Sequence, residues 1–292
     1  PRYMLHHSSS MSRQNISSTC KVLERKLALI LVDGLSLEQW IVLKGVLEEQ
    51  NDNLKFRESA LFAWIPTITS VSRQAAFAGK PPLYFPGSIH STSKEPAFWT
   101  QFWVDQGLKS VEIAYVKGLG DKDLDQTFEI LARPKLRVAG LVIDKIDKIM
   151  HGMELGAAGM LASVRQWGKS GFLIQLIEFL LNNDFLVYLS SDHGNIEAKG
   201  CGRPAEGAVA DLRGERVRIY SDARLRKRIR DSFPEALEWP PVGLPEDYFP
   251  LLAPDRTAFV REGDNSVCHG GISVEEVVVP LALPLLVDRK SQ

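Results

Sequence analysis

The chain has few cysteines, no long apolar run and almost no excess charge of either sign. Three cysteines in 292 residues are too few and too scattered for a disulfide framework or a zinc ribbon, so we expect a reducing, cytoplasmic environment. No apolar run reaches the roughly 20 residues that cross a bilayer, which predicts no association with a membrane. A formal net charge of -1 lacks the overall basic signature of a nucleic-acid-binding protein, although it is compatible with a local basic groove.

The first residues also lack the apolar core of a signal peptide. They begin with Pro and contain a His-His-Ser-Ser-Ser stretch. We interpret residues 1–24 as a disordered or artificially appended tail, and the chain as a piece of a longer protein. The length suits one large α/β domain or two small ones, and we interpret residues 25–288 as a single domain.

Hydrophobic patterning predicts an α/β fold. Continuous apolar runs, which suit strands buried on both faces of a parallel sheet, occur at 26–32, 138–143 and 185–190. Shorter strands are predicted at 217–220, 258–260 and 276–283, and Pro280 inside the last one indicates an edge or a strand end. Helical patterns follow Ser36 and cover 172–181, while 81–96 and 239–254 are predicted to be long Pro-rich loops. Alternating strands and helices favour a sandwich with a mostly parallel sheet.

Side chains that can bind metals follow three of these strands. Asp33 comes directly after the first strand, Asp192 and His193 follow the strand at 185–190, and the segment 144–151 begins after the strand at 138–143. Because ligands in open parallel sheets bind beyond the carboxyl ends of the strands, these side chains are expected to lie close together. Carboxylates and imidazoles suit Zn²⁺ or Mn²⁺.

Each of these features alone has an ordinary structural explanation. Asp33-Gly34 suits a turn or helix cap, and Asp147 and His151, four residues apart, suit the exposed face of a helix. His269, beside two glycines, suits a loop. Two adjacent ligands at the tip of a buried strand are more specific, and the combination of all these features favours a metal site.

A segment rich in hydroxyl groups, WIPTITSVSR at 64–73, precedes a helical stretch that runs to Gly79. A Thr or Ser at a helix N-terminus lies in a field that favours an oxyanion and a bound phosphate. The structural alternative is an ordinary N-cap, which Thr69, Ser70 or Ser72 can supply.

The order of these motifs resembles the alkaline phosphatase superfamily and, within it, the PglZ domain of bacterial phage-defence (BREX) systems. The similarity runs from about 27 to 283 and is most specific in LVDGLS, PTITSVSR, the Asp147/His151 pair, SSDHG and HGGISVEEVVVPL. It implies a three-layer sandwich of the alkaline phosphatase type. In the nucleotide pyrophosphatase branch the nucleophile segment reads Pro-Thr-x-Thr and ends in Gly-x-x-Pro, which PTIT at 66–69 and GKPP at 79–82 match without a gap. The match implies Thr69 as the nucleophile, with Ser70 as the alternative.

The resemblance also implies two divalent metal ions, zinc or else manganese. One ion would be bound by Asp147, His151 and His269, and the other by Asp33, Thr69, Asp192 and His193. Asp144 is an alternative to Asp147. We prefer Asp147 because its four-residue offset from His151 fits the Asp-x-x-x-His pairing of the family. Thr69 would attack phosphorus to form a phospho-enzyme that water then hydrolyses.

The sequence departs from the pyrophosphatase pattern after the nucleophile, where Ser72 replaces an asparagine. Ser70, Ser72 and Arg73 are candidates for contacting the substrate phosphate, and Arg73 as a solvated or structural arginine is the alternative. Sulfatases need a Cys-x-Pro-x-Arg setting that is absent from this sequence, which argues against sulfate esters.

The resulting hypothesis is a metal-dependent phosphoesterase, a phosphodiesterase or nuclease acting on nucleotides or nucleic acid alongside other defence proteins. A phosphomonoesterase or phosphoglycerate-mutase-like phosphotransferase is the second hypothesis, and a non-catalytic interaction scaffold is the third.

The region 200–222, with Arg203, Arg213, Arg216 and Arg218, is predicted either to contact phosphates or to form a charged surface loop.

Overall fold

Strands and helices alternate along most of the chain in the computed structural model, which describes residues 25–121, 124–204, 212–213 and 215–287. The predicted tail at 1–24 lies outside the described residues. The strands are β1 (Lys26–Val32), β2 (Leu54–Phe62), β3 (Ile113–Leu119), β4 (Val138–Ile143), β5 (Phe185–Ser190), β6 (Ile196–Gly200), β7 (Leu212–Arg213), β8 (Val217–Tyr220), β9 (Leu237–Glu238), β10 (Phe249–Leu252), β11 (Thr257–Ala258), β12 (Asn265–Cys268) and β13 (Val278–Leu286). The helices are α1 (Leu37–Gln50), α2 (Thr69–Ala78), α3 (Glu95–Asp105), α4 (Asp125–Leu131), α5 (Lys145–His151), α6 (Gly156–Lys169), α7 (Phe172–Asn182), α8 (Ala223–Arg230) and α9 (Val274–Val277).

A six-stranded central sheet has the order β2-β13-β5-β1-β4-β3. Strands β5, β1, β4 and β3 run parallel, while β13 is antiparallel to both of its neighbours. The predicted α/β fold with a mostly parallel sheet is therefore confirmed. The parallel arrangement brings the carboxyl ends of β1, β4 and β5 to one edge, where the predicted ligands follow.

Helices cover both faces of this sheet, so the fold has three layers. In β1, Ala28 and Ile30 contact a core that includes residues of α1, α6 and α7. The alternating residues Leu27 and Leu29 contact a second core with Phe77 of α2 and aromatic residues of α3. Because successive side chains of a strand point to opposite faces, a strand covered on both sides must be apolar throughout.

Two smaller sheets flank the central one. One has the order β7-β8-β10-β9, and the other has the order β11-β6-β12. Strand β12 ends at Cys268, directly before His269, and its partner β6 begins at Ile196, shortly after His193. This pairing brings the two histidines together although they are distant in sequence. No helix within the described ranges has the length and apolar character to cross a membrane.

The structure corrects four predictions of local structure. The apolar run at 276–283 begins in helix α9, and its strand spans 278–286. Pro280 marks neither an edge nor a strand end, because β13 lies between β2 and β5. It is tolerated because β13 pairs with β5 only at Leu281 and Ala282, and the Pro280 carbonyl accepts a bond from the Ser190 hydroxyl at 2.8 Å. The loop predicted at 239–254 contains strand β10, and the short strand predicted at 258–260 lies at 257–258.

Candidate metal centre

Two groups of three potential ligands lie beyond the carboxyl ends of β1, β4 and β5. Within each group, the ligand atoms lie within 4.8 Å of one another. The first group is Asp147, His151 and His269, and the second is Asp33, Asp192 and His193. The stacked rings of His193 and His269, whose centroids are 4.0 Å apart, join the two groups.

Thr69 lies beside the second group as the first residue of α2. Its hydroxyl oxygen is 2.9 Å from His193 Nε2 and 3.5 Å from Asp33 Oδ1. The structure thus brings together all seven residues that the sequence singled out as ligands.

Backbone carbonyls orient two of the histidines. His193 Nδ1 is 3.0 Å from the carbonyl oxygen of Gly194, and His269 Nδ1 is 2.7 Å from that of Thr67. A carbonyl can only accept, so each Nδ1 carries the proton and donates, which leaves Nε2 as the free ligand atom. Histidines that bind metals are commonly oriented by such a bond.

Two buried carboxylate oxygens support a cation at each group. Asp192 Oδ1 accepts backbone N–H bonds from Gly34 at 3.2 Å and from His193 at 3.1 Å. Among the described residues, no hydrogen bond reaches the buried oxygens Asp192 Oδ2 and Asp147 Oδ1, which lie 3.6 Å from His193 Nε2 and 3.4 Å from His151 Nε2. Burying a charged oxygen without a hydrogen bond is costly, and a bound cation removes that cost. The ligand types, oxygen and nitrogen without sulfur, fit Zn²⁺ or Mn²⁺.

Burial and neighbouring charges also shift the pKa values of these side chains. Burial raises the pKa of Asp33 well above its usual range, and the neighbouring carboxylate of Asp192 raises it further. Burial also raises the pKa of Asp192 to about 6. Burial and the adjacent His193 lower the pKa of His269 to about 4, so this imidazole is neutral, the form that binds metals. The site therefore has crowded acids that need positive charge, together with a neutral histidine.

Asp144 and Asp147, the two rival acids after β4, have different partners. Asp147 Oδ1 is 3.4 Å from His151 Nε2, across one helical turn. Asp144 Oδ1 instead binds Lys148 Nζ at 2.9 Å. The structure therefore places Asp147, and not Asp144, among the potential ligands.

The three residues predicted to contact phosphate have different surroundings. Ser72 is buried and donates to the Trp64 carbonyl at 3.0 Å. Arg73 is buried and binds Asp33 and Glu95. Among the described residues, no group bonds to the buried Ser70 hydroxyl. Phosphate contact by Ser72 or Arg73 stays a prediction, and for Ser72 it would require the bond to the Trp64 carbonyl to open.

Two of the arginines of 200–222, Arg216 and Arg218, do not lie in a charged surface loop. Arg216 is 1% exposed and donates to Glu276 Oε1 at 3.0 Å, and Arg218 is 6% exposed and donates to the Phe259 carbonyl at 3.1 Å. Arg203 is exposed, and the side chain of Arg213 lies outside the described residues. The surface-loop alternative is therefore wrong for Arg216 and Arg218, whose side chains are buried, and phosphate contact by these two arginines stays a prediction.

Sequence reasoning missed Glu95 and Tyr115. Glu95 is fully buried in the first turn of α3, at the end of a segment predicted to be a loop, and it accepts a bond from the Tyr115 hydroxyl at 2.6 Å. No local motif distinguishes either residue. Thr67 was noted only as part of PTIT, yet its hydroxyl bonds to Gly270 N and to the Gly271 carbonyl, both at 3.0 Å.

Gly194 is required by close packing next to His193. A Cβ at this position would lie 2.0 Å from the Glu275 carbonyl oxygen, so the backbone would have to move. We expect Gly194→Ala to lower the free energy of unfolding by about 3 kcal/mol, as measured by chemical denaturation. Gly45 lies inside α1 with nothing within 4 Å of the added Cβ. Gly45→Ala should leave stability unchanged or raise it by up to about 1 kcal/mol, and equal effects of the two changes would contradict the packing argument.

Solved structures with similar folds include three of low sequence identity. Murine ectonucleotide pyrophosphatase/phosphodiesterase 5 has a TM-score of 0.61 at 12% identity, over 88% of this chain and 88% of that chain. An inactive variant of that murine protein in complex with AMP has a TM-score of 0.63 at 11% identity, over 88% and 87%. Phosphonoacetate hydrolase from Sinorhizobium meliloti 1021 in complex with phosphonoformate has a TM-score of 0.55 at 12% identity, over 92% and 91%. These similarities show that the chain shares the fold of these proteins.

The family follows from the sequence match. The model of the BREX system PglZ alkaline phosphatase-like domain matches residues 11–283. The chain therefore belongs to the PglZ family, which confirms the resemblance seen in its motifs. No curated protein matches the chain.

Proposed function

We propose that this protein is a metal-dependent phosphoesterase of the phosphodiesterase or nuclease type, with Thr69 as its nucleophile. One observation carries the proposal. The half-buried Thr69 hydroxyl, at the N-terminus of a ten-residue helix, lies beside two adjacent groups of potential metal ligands. The family description, an alkaline phosphatase-like domain, supports the same reaction class.

The two groups would hold one divalent cation each. When bound, such cations lower the pKa of a coordinated hydroxyl and neutralise charge on the phosphoryl oxygens. The protein's own side chains would supply the negative charge and the ligand atoms. Asp33 and Asp192 supply negative charge for the cation beside Thr69, and the fixed Nε2 atoms of His193 and His269 supply oriented ligands.

Thr69 would then carry out the covalent step. Thr69 Oγ1 would lose its proton to water and attack phosphorus, so a Thr–O–P bond forms while the bond to the leaving alkoxide breaks, and the alkoxide takes up a proton from water. At the start of α2 the amides of Val71 and Ser72 already donate to the Ile68 carbonyl, so the amides of Thr69 and Ser70 would be the ones to donate to the phosphoryl oxygens. Water then attacks the phosphothreonine and restores the Thr69 hydroxyl.

A diester is the better substrate on charge grounds. At neutral pH a phosphomonoester carries about one more negative charge than a diester, since its second pKa is near 6. Arg73, the arginine that contacts the ligand groups, is already engaged with two carboxylates, so it does not offer an extra positive charge to a dianion. Phage defence follows from the BREX family name, which supports a cytoplasmic role on nucleotides or nucleic acid alongside other defence proteins.

The test is hydrolysis of model esters with defined metal content. We expect kcat/KM for bis-p-nitrophenyl phosphate to exceed that for p-nitrophenyl phosphate by at least about tenfold, or about 1.4 kcal/mol in transition-state binding. Chelation should abolish both activities, and Zn²⁺ or Mn²⁺ should restore them at about two ions per chain. A preference for the monoester would favour the phosphomonoesterase reading, and failure to bind either metal would refute the proposal.

A further inference from the structure

A row of four polar side chains runs from the ligand groups to strand β3, and its first three members are buried while Tyr115 is half-buried. Arg73 of α2 contacts Asp33 Oδ2 through Nη1, and its Nε donates to Glu95 Oε1 at 2.8 Å. The other oxygen of Glu95 accepts from the Tyr115 hydroxyl at 2.6 Å. Asp33, Arg73 and Glu95 are 3%, 6% and 0% exposed, so water does not replace these bonds.

This row determines which oxygen of Asp33 faces the ligand group. Arg73 occupies Oδ2, while Oδ1 lies 3.5 Å from Thr69 Oγ1 and 3.7 Å from His193 Nε2. Asp33 is therefore arranged to bind a cation through one oxygen only. The guanidinium can hold this position only while its own direction is fixed, and Glu95 fixes it from the opposite side.

The net charge of these side chains also supports a role for Glu95 in metal binding. Asp33, Asp192 and Glu95 are three carboxylates, and Arg73 is one cation, which leaves two negative charges for a single divalent ion. Without the charge of Glu95, only one net negative charge would remain for the divalent ion, and Asp33 alone would pair with Arg73. The repulsion between Arg73 and a bound metal would be strong, because buried charges are poorly screened.

We propose that Glu95 is a positioning residue for the metal group formed by Asp33, Asp192 and His193, and that it acts through Arg73. The inference rests on the proposed function, since it needs a metal at that group. Tyr115 has a supporting role, because its hydroxyl holds the second oxygen of Glu95. Burial and the Glu95 carboxylate raise the pKa of Tyr115 above its usual value, so the phenol keeps its proton and donates.

The test is calorimetric titration of Zn²⁺ and Mn²⁺ into the metal-free whole chain and into Glu95→Gln. Outer partners of metal ligands typically contribute a factor of 10 to 100 in affinity. We therefore expect Glu95→Gln to weaken one of two binding events by about 10- to 100-fold and to leave the other within about threefold. The weakened event should be the one that Asp192→Asn removes. Excess metal should restore diester hydrolysis by Glu95→Gln, which damage to the fold would not allow.

Glu58 offers a matched control, because it too accepts from one cation and one aromatic donor. Its partners are Lys44 Nζ and Trp40 Nε1, both at 2.7 Å, and it makes no contact with the ligand groups. Glu58→Gln should bind both metals as the unaltered chain does. If Glu95→Gln fails to fold, Tyr115→Phe tests the proposal instead. We expect this change to weaken metal affinity two- to tenfold at the same binding event.

The outcomes separate this inference from the function on which it rests. If the unaltered chain binds two metals and Glu95→Gln binds both with unchanged affinity, the positioning role is wrong and the proposed function stands. Equal weakening of both events, or an equal effect of Glu58→Gln, also overturns it. If the unaltered chain binds no metal, the proposed function fails and this inference fails with it.

Discussion

Replacing Thr69 with alanine is expected to lower the kcat for a phosphodiester by on the order of 10⁴-fold or more, the scale seen when a hydrolase loses its nucleophile. No other hydroxyl among the described residues occupies this position, 2.9 Å from His193 Nε2 and 3.5 Å from Asp33 Oδ1. The six Asp and His ligand side chains remain, so metal binding should persist within about tenfold. Steady-state kinetics and calorimetry on the same preparation measure both quantities.

Ser70 provides the comparison that identifies the nucleophile. It is the next residue along α2, and its buried hydroxyl has no bonding partner among the described residues. Ser70→Ala should therefore change kcat by less than about threefold, and the loss of an unsatisfied buried hydroxyl should not destabilise the fold. Trapping the phospho-enzyme with acid should label the unaltered chain and Ser70→Ala, but not Thr69→Ala. The reverse pattern would identify Ser70 as the nucleophile.

Asp192→Asn is expected to reduce metal binding from about two ions per chain to about one, with a loss of kcat/KM of on the order of 10³-fold. The asparagine retains an oxygen that can accept from the Gly34 and His193 amides, so the backbone around the site should keep its shape. It lacks the negative charge that the buried Oδ2 offers to a cation. Elemental analysis after dialysis, together with diester hydrolysis, measures the two effects.

Asp144→Asn is the control for that change, since Asp144 also follows a parallel strand but binds Lys148. It should leave the metal content at the level of the unaltered chain and change kcat/KM by less than about threefold. Asp147→Asn should instead remove the ion of the other group. A loss of metal in Asp144→Asn, with none in Asp147→Asn, would reverse the assignment of these two acids.

Parts of the fold that depend on local pattern were predictable. Strands β1, β4 and β5 are apolar throughout because both faces of the sheet are covered, and their bounds agree with the predicted runs. Strand β2, LKFRESALF, was not predicted. It is an edge strand with four consecutive exposed residues at 57–60, so it lacks a buried-strand pattern.

The Pro-rich composition of 81–96 and 239–254 led to the incorrect prediction that both segments are loops throughout. Proline suits the first turn of a helix as well as a loop, and Pro96 lies in the first turn of α3. Composition therefore indicated loops where the chain forms the start of α3 and strand β10. The burial of Arg216 was missed for a related reason, since charge in a sequence usually means exposure and its partner Glu276 is 60 residues away.

The sequence by itself determined the α/β class, the strand tips that carry Asp33, Asp192 and His193, and the family. The strand tips are local features, because an apolar run followed by an acid spans about ten residues, and the family follows from the order of such motifs along the chain. Only the tertiary structure placed Asp147, and not Asp144, beside His151 and His269, engaged Arg73 with Asp33, and brought Glu95 and Tyr115 to the other side of Arg73. Those contacts join α2, α3 and β3, whose packing against the central sheet sets their distances. Because these side chains are buried, an unpaired charge among them would destabilise the protein, and each partner therefore stabilises the arrangement.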